Sequence, residues 1–305
     1  MADRIARFGP AGNCEDFYEK GYKSTVQAPG YLKEMGLTAY EYSCGRGVML
    51  KEDTARRIGE AAAENGVAIS IHAPYFTNLC NPDPAKQEGT VRYLLQAAQA
   101  VRWMGGKRVI FHPGALMGSS REEARKRAET LMRRCVAEVL SAHPDAVLCP
   151  ETLGKKNQYG TLDEVLSLCA PYGERVVPCI DFAHLHAAGC GCINSEGDFD
   201  ALLEEAERAL GHARMERFHM HFSHIEYTGA GEKRHRTFAE EGYGPDFALL
   251  APCLSSRGLC PTVICESAGT QAQDAKQMQE KYLSFVKNVY YIRQHTSQRA
   301  ANMLK

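Results

Sequence analysis

The chain has 305 residues, a length that fits either one α/β barrel of roughly 250 residues or two smaller domains. Hydrophobic residues make up 44% of the chain and charged residues 24%, which is a globular composition and excludes a disordered or fibrous protein. Because 36 lysines and arginines stand against 37 aspartates and glutamates, the net charge of -1 excludes a protein that attracts polyanions through an overall positive field.

Targeting segments and disulfide frameworks are not expected. The N-terminal residues lack the apolar core of a signal peptide, and no apolar run approaches the roughly 18 residues of a membrane span. We therefore expect a cytoplasmic protein without a membrane partner; the oligomeric state stays open, with a monomer favoured. Most of the 12 cysteines should be reduced and buried, and the spacing of Cys190 and Cys192 is a weak metal signal, more typical of an ordinary loop.

Short β-rich runs alternate with longer amphipathic runs along the chain, which is the pattern of βα units. The strand-like runs are 6–10, 39–43, 68–73, 108–114, 146–151, 176–182, 217–222 and 262–267, and the helix-like runs include 53–65, 91–104, 121–143, 162–170, 199–212 and 271–294. Eight such units predict an α/β protein, a single-domain (β/α)8 TIM barrel over residues 1–305. Residues 271–305 should be its C-terminal helix and tail, and a doubly wound sheet is the alternative.

Candidate metal ligands recur at the C-terminal ends of the predicted strands, where barrel active sites are built. They are His72, His112, Glu151, Asp181, His221 and Glu266. Crowding so many acids and imidazoles into one mouth costs desolvation energy unless cations neutralise them. The sequence therefore predicts a metal centre there.

The donor types indicate which metal and which chemistry to expect. Imidazoles and carboxylates without thiolates suit Zn²⁺, Mn²⁺ or Fe²⁺. Glu151 can bridge two ions, an arrangement typical of phosphodiester hydrolysis. His184 and His235 extend the set and could hold a third ion.

Several other polar side chains are expected to be bystanders. His219 lies two residues before His221 and one layer deeper, so we expect a core histidine, and Cys149 and Cys179 should fill core space. The remaining histidines are expected to be solvated; they are His143, His186, His212, His224 and His295.

At these residues the sequence resembles the endonuclease IV family of AP endonucleases, within the xylose isomerase-like barrels. The likeness extends from about residue 68 to residue 270, and its pieces keep the family's order. They are IHAPYFTNL (71–79), FHPG (111–114), PETLGK (150–155), CIDFAHLHAAG (179–189), MHFS (220–223), KRH (233–235) and CES (265–267).

The resemblance implies a ligand for each of the family's zinc ions. The first ion would take His72, His112 and Glu151, the second would take Glu151, Asp181, His221 and Glu266, and the third would take His184 and His235. It also implies that Glu151 or Glu266 acts catalytically on the attacking water. The expected cofactor is two or three Zn²⁺ ions, with Mn²⁺ or Fe²⁺ as substitutes.

The segment that would bind the third ion differs from the family pattern. Where the family has Asp-Arg-His, this chain has Lys233 followed by Arg234 and His235. Either the third ion is lost, or Glu232 replaces the aspartate through a shift in the loop, or Lys233 contacts a substrate phosphate. Ser223 and His224 also differ from the Asn and Asp that are usual there.

The resemblance further implies DNA contacts at the mouth. Tyr75 matches an intercalating tyrosine with Phe76 beside it, and Arg46 falls near a DNA-probing arginine. Tyr75 could instead only pack the mouth. Phosphates could be contacted by basic residues of the mouth loops, namely Lys155, Lys156, Lys233, Arg234 and Arg236.

The sequence thus favours a metal-dependent phosphodiesterase, a hydrolase that cuts DNA on the 5′ side of abasic sites in base excision repair. The alternative is a sugar or sugar-phosphate isomerase or epimerase with one divalent ion on Glu151, Asp181, His221 and Glu266. A third hypothesis is a barrel that binds a ligand or partner without catalysis.

Overall fold

The computed structural model describes residues 5–286, and it confirms the predicted (β/α)8 TIM barrel. Eight parallel strands form the barrel: β1 (Arg7–Pro10), β2 (Ala39–Ser43), β3 (Ala68–His72), β4 (Arg108–Phe111), β5 (Val147–Pro150), β6 (Cys179–Asp181), β7 (His219–Phe222) and β10 (Thr262–Cys265). The predicted runs extend a few residues past these bounds, because the ends of barrel strands merge with ordered loops.

Helices cover the outside of the barrel. They are α1 (Glu15–Glu19), α2 (Ala28–Glu34), α3 (Glu52–Asn65), α4 (Pro84–Trp103), α5 (Arg121–Ala142), α6 (Leu162–Cys169), α7 (Phe182–Ala188), α8 (Glu196–Leu210), α9 (His212–Met215) and α10 (Phe247–Arg257), with short 3-10 helices at Thr25–Gln27 and Ala170–Arg175. Ser120 and Thr161 begin α5 and α6 with complete capping boxes, which satisfy backbone N–H groups that the helix leaves unpaired.

The strands hydrogen-bond in two four-stranded ladders. One ladder runs β2–β3–β4–β5 and the other β1–β10–β7–β6. Isolated parallel bridges between Ala11 and Glu41, and between Glu151 and Cys179, join the ladders at two seams and close the barrel. At the first seam Gly9 is required, since a Cβ there would lie 1.7 Å from the Ala39 carbonyl oxygen.

The structure contains a hairpin that sequence periodicity did not predict. Residues 223–245, where no strand-like run is predicted, contain an antiparallel hairpin of β8 (His224–Thr228) and β9 (Gly231–Arg236). The final predicted helix is present over 271–286, and its expected continuation to 294 and the tail to 305 lie outside the described residues. Within residues 5–286, no helix is both long and apolar enough to cross a membrane.

Candidate metal centre

The eight ligands expected from the sequence meet at the C-terminal end of the barrel. Together with Glu232 they form three groups, in each of which the ligand atoms lie within 4.8 Å of one another. The groups are His72 with His112 and Glu151, then Glu151 with Asp181, His221 and Glu266, and finally His184 with Glu232 and His235.

The first group is held together by one carboxylate oxygen. Glu151 Oε2 lies 2.9 Å from His72 Nε2 and 3.3 Å from His112 Nε2. The other ring nitrogen of His72, Nδ1, lies 2.8 Å from the Ala73 carbonyl oxygen, which fixes the ring so that Nε2 faces inward. Burial disfavours a charged His72, but the hydrogen bond and the charge of Glu151, together with the charges of Glu41 and Glu266, outweigh burial and raise the pKa of His72 to about 9.

The second group shares Glu151 with the first. Its other oxygen, Oε1, lies 3.3 Å from His221 Nδ1, and this nitrogen is also 3.5 Å from Glu266 Oε1. Asp181 completes the group: its Oδ1 accepts from the His184 backbone N–H, while its Oδ2 is buried without a hydrogen-bond partner. Glu151 is fully buried, whereas the Glu266 side chain keeps 19% of its surface exposed at the mouth.

The charge state of these acids follows from their neighbours. Burial opposes ionisation of Glu151, but the charges of His221 and then His112 hold its pKa well below the ordinary value. For Asp181, burial prevails over the attraction of His184 and raises the pKa. Imidazoles and carboxylates of the metal centre therefore influence each other's ionisation, and a metal would compete with protons for the ring nitrogens.

A β-bulge builds the third group. Glu226 pairs with Arg234 and Tyr227 pairs with Glu232, so Lys233 is an extra residue in β9. The extra residue shifts the alternation of side chains, and Glu232 joins His235 on the face that points to His184. The nearest contact there is 3.7 Å, between His184 Nε2 and Glu232 Oε2.

Two contacts hold the hairpin in this position. The Glu232 backbone N–H donates to the Gly154 carbonyl at 2.9 Å, which ties β9 to the loop that follows β5. Ser223 Oγ lies 2.8 Å from His235 Nδ1, so the Nε2 atom of His235 faces the group, 3.6 Å from Glu266 Oε2. Ser223, which differs from the residue usual in the family, thus contacts His235, one of the expected ligands.

The structure does not bring Lys233 to the metal centre. Its Nζ contacts Glu226 Oε1 on β8, and Arg234 and Arg236 contact the same carboxylate. These three cations lower the pKa of Glu226 to about 2, Lys233 having the largest effect. Among the three alternatives for this piece of sequence, the geometry favours replacement of the aspartate by Glu232.

Glu41 is a central residue that sequence analysis missed. It lies fully buried in β2, with Oε1 2.9 Å from His221 Nε2 and Oε2 2.9 Å from His219 Nε2. Ser70 Oγ donates to Oε2 at 2.7 Å. The detectable signal was a charged residue between Tyr40 and Tyr42 inside an otherwise apolar strand.

The predictions for the residues that were not expected to bind metal are correct for some of them and wrong for others. His219 and Cys179 are fully buried, as expected, although Cys179 lies with His219 and His221 in a group of potential ligands. The prediction that His143 and His186 are solvated is wrong, because both are buried against their own helix ends and loops. His295 lies outside the described residues.

Two of the loops expected to contact DNA lie side by side at the mouth. The Tyr75 backbone N–H donates to the Gly45 carbonyl at 3.2 Å, so the loop bearing exposed Arg46 lies against the loop bearing Tyr75. Tyr75 is 49% exposed and Phe76 50% exposed, and their ring centroids are 4.2 Å apart. Lys155 and Lys156 are exposed on the loop after β5.

The donor sets fit divalent ions. Each of the three groups combines imidazole nitrogens with carboxylate oxygens, and the buried Oδ2 of Asp181 has no hydrogen-bond donor, with His184 Nδ1 3.5 Å away. Two groups share Glu151 through different oxygens, which is how a carboxylate bridges two ions.

Sequence comparisons give the chain its relatives. A sequence model described as the xylose isomerase-like TIM barrel matches residues 29–288. An uncharacterized protein of Methanocaldococcus jannaschii is 33% identical over 263 residues, which are 85% of this chain and 91% of that protein. A probable endonuclease 4 of Acholeplasma laidlawii is 32% identical over 204 residues, covering 64% of this chain and 67% of that protein.

Solved structures show the same fold in proteins of different function. Endonuclease IV from Thermus thermophilus superposes with a TM-score of 0.61 at 18% identity, covering 87% of this chain and 94% of that one. A D-tagatose 3-epimerase-like protein gives a TM-score of 0.66, also at 18% identity, with coverage of 83% and 91%. At such low identity these likenesses establish the fold alone.

Proposed function

Since the chain belongs to the xylose isomerase-like TIM barrel family, we propose that it is a metal-dependent phosphodiesterase that cleaves DNA on the 5′ side of abasic sites. The observation that carries this proposal is Glu151, whose two oxygens each face two imidazoles and join two complete ligand groups. The relatives named probable endonuclease 4 support the same reaction class. The protein would act as a cytoplasmic hydrolase in base excision repair.

The proposed cofactor is Zn²⁺, with Mn²⁺ or Fe²⁺ as substitutes, held by the three groups of the metal centre. When bound, such ions activate water and stabilise charge on phosphate oxygens. The third group includes Glu232 in addition to His184 and His235, so we propose three ions rather than two.

The protein side chains have distinct proposed roles. Glu266 is the carboxylate of the central group that remains partly exposed, so it can reach a water at the mouth and accept its proton while that water attacks phosphorus in line. The bond between phosphorus and the 3′ oxygen breaks, and this oxygen takes a proton from solvent and leaves as the 3′-hydroxyl. Glu151 is buried and already contacted on both oxygens, so its proposed role is to bridge and position. Asp181 lies on the same face and completes the ligand shell.

Recognition of DNA is proposed for the exposed rim. Tyr75 and Phe76 form a paired aromatic wedge of the kind that enters a base stack, and Arg46 lies on the adjoining loop. Lys155 and Lys156 could contact backbone phosphates from the other side of the mouth. Lys233 would contribute less to phosphate binding, because its ammonium group already pairs with Glu226.

The proposal is tested by cleavage of a duplex that contains one abasic site, with zinc-loaded protein. Wild type should cut the strand 5′ to the lesion and leave a 3′-hydroxyl. Glu266→Gln should lower kcat by about 10²–10⁴, the usual loss when a general base is removed. The matched control Glu60→Gln removes an exposed carboxylate on α3 and should cut normally. If wild type leaves the duplex intact while a known AP endonuclease cuts it, the proposal fails.

A sugar or sugar-phosphate isomerase or epimerase is the second candidate. It is favoured by one observation: Glu151, Asp181, His221 and Glu266 alone form a complete set for a single ion, with two glutamates able to move protons. Such an enzyme would need one ion per chain, and it would keep its activity after loss of His112 or His235. Measuring metal content together with both activities distinguishes the two candidates.

A further inference from the structure

A second concave site lies at the end of the barrel opposite to the metal centre. It is a cleft of about 400 Å³ at the N-terminal ends of the strands, bordered by the C-terminal turns of α3 and the loop that follows α4. Four cationic side chains line it: Arg7 at the start of β1, Lys107 and Arg108 at the start of β4, and Arg217 before β7.

The cleft is positively charged without compensation. Its lining includes no aspartate or glutamate, and within residues 5–286 the side chains of Arg7, Lys107 and Arg217 have no carboxylate partner. Burial, and with it the like charges of Arg7 and Arg217, lowers the pKa of Arg108. Placing these four positive charges close together is unfavourable unless an anion binds between them.

Arg108 is fixed in place by neutral acceptors. Its Nη1 donates to the Phe218 carbonyl at 3.3 Å and lies 3.4 Å from Thr262 Oγ1, and its Nη2 donates to the Arg217 carbonyl. These bonds cross the closed end of the barrel and keep the positive charge of the guanidinium uncancelled at the inner wall of the cleft. The exposed Arg7, Lys107 and Arg217 form the outer wall.

We propose that this cleft binds a small phosphorylated compound, with the phosphate between Arg7, Arg108 and Arg217. A phosphate group carries up to two negative charges and several strong acceptors, which suits guanidinium donors. The volume falls at the small end of the range for small-molecule sites. Ala62, Ala63, Val67 and Met104 offer an apolar wall for the carbon portion.

Titration calorimetry on the zinc-loaded full chain tests this proposal, with glycerol 3-phosphate, inorganic phosphate and glycerol as probes at constant ionic strength. The double variant Arg7→Gln/Arg217→Gln removes two cations of the cleft and leaves the half-buried Arg108 in place. The matched control Lys33→Gln/Lys86→Gln removes two exposed cations that line neither the cleft nor the metal centre.

Wild type and control should bind glycerol 3-phosphate at least tenfold more tightly than the cleft variant, and glycerol should not bind. Phosphate held at the metal centre would be common to all three proteins and cancels in the comparison. Equal isotherms for all three proteins overturn the proposal, and so does inorganic phosphate binding as tightly as glycerol 3-phosphate, which would indicate a site for the free anion. If the double variant does not fold, Lys107→Gln alone must show a weaker form of the same loss.

Discussion

Glu41 decides which nitrogen His221 presents to the metal centre. Because Glu41 Oε1 lies 2.9 Å from Nε2 of His221, that edge of the ring faces the Glu41 carboxylate and Nδ1 faces Glu151 and Glu266. Glu41→Gln keeps the shape but removes the charge, so metal affinity should fall about 10–100-fold, as is typical when such a partner is lost. Competition with a chromophoric chelator measures this, and Glu60→Gln serves as the control. Unchanged affinity in a folded variant would contradict the assigned role.

The residues on either side of the bulge in β9 should behave differently when changed. Glu232→Gln removes the carboxylate that faces His184 and should lower the metal content from three ions to two per chain. Lys233→Gln breaks a surface contact with Glu226 and should leave metal content unchanged, because exposed ion pairs contribute little. Elemental analysis after gel filtration counts the ions. Loss of an ion in the Lys233 variant would show that the bulge is assigned incorrectly.

At the scale of elements, the docking of the hairpin depends on Gly231. Its φ is 100°, and a Cβ at this position would lie 2.2 Å from the Gly154 carbonyl oxygen. Gly231→Ala should therefore cost about 1–3 kcal/mol of unfolding free energy and displace Glu232 from the metal centre. Chemical denaturation and metal content are the measurements. Gly229→Ala lies in the same hairpin turn with open space around it, so its stability should stay close to wild type.

Elements differed in how far sequence could predict them. Six of the eight barrel strands are apolar runs with His, Asp or Glu at or next to their C-terminal end, so the positions of these strands and of the six candidate ligands followed from the pattern. The β8–β9 hairpin could not be predicted from periodicity. The presence of Lys233, Arg234 and Arg236 leaves β9 without the alternation of apolar and polar residues that is typical of a strand. The bulge depends on register with β8 and on contacts with the loop after β5, and neither is encoded locally.

At the scale of the whole molecule, packing sorts the cysteines into two classes. Cys190 and Cys192 are exposed, whereas the other ten are buried between helices and strands as free thiols. Burial also raises the pKa of thiols such as Cys135 and Cys149 to about 12, which suppresses the reactive thiolate. An aromatic disulfide reagent should thus modify two thiols rapidly in the native protein and all twelve after unfolding. More than two fast equivalents at native stability would mean that the barrel opens readily.

The backbones of the two ladders are joined at the seams of the barrel, and the metal centre lies across one of these seams. His72, His112 and Glu151 belong to the half that contains β2 to β5, while Asp181, His221 and Glu266 belong to the half that contains β6, β7, β10 and β1. Ions shared by Glu151 and Asp181 would therefore cross-link two half-barrels that the backbone joins through few hydrogen bonds. Removal of the ions would then affect activity and stability together, since the protein would lose these cross-links between its halves as well as its catalytic centre.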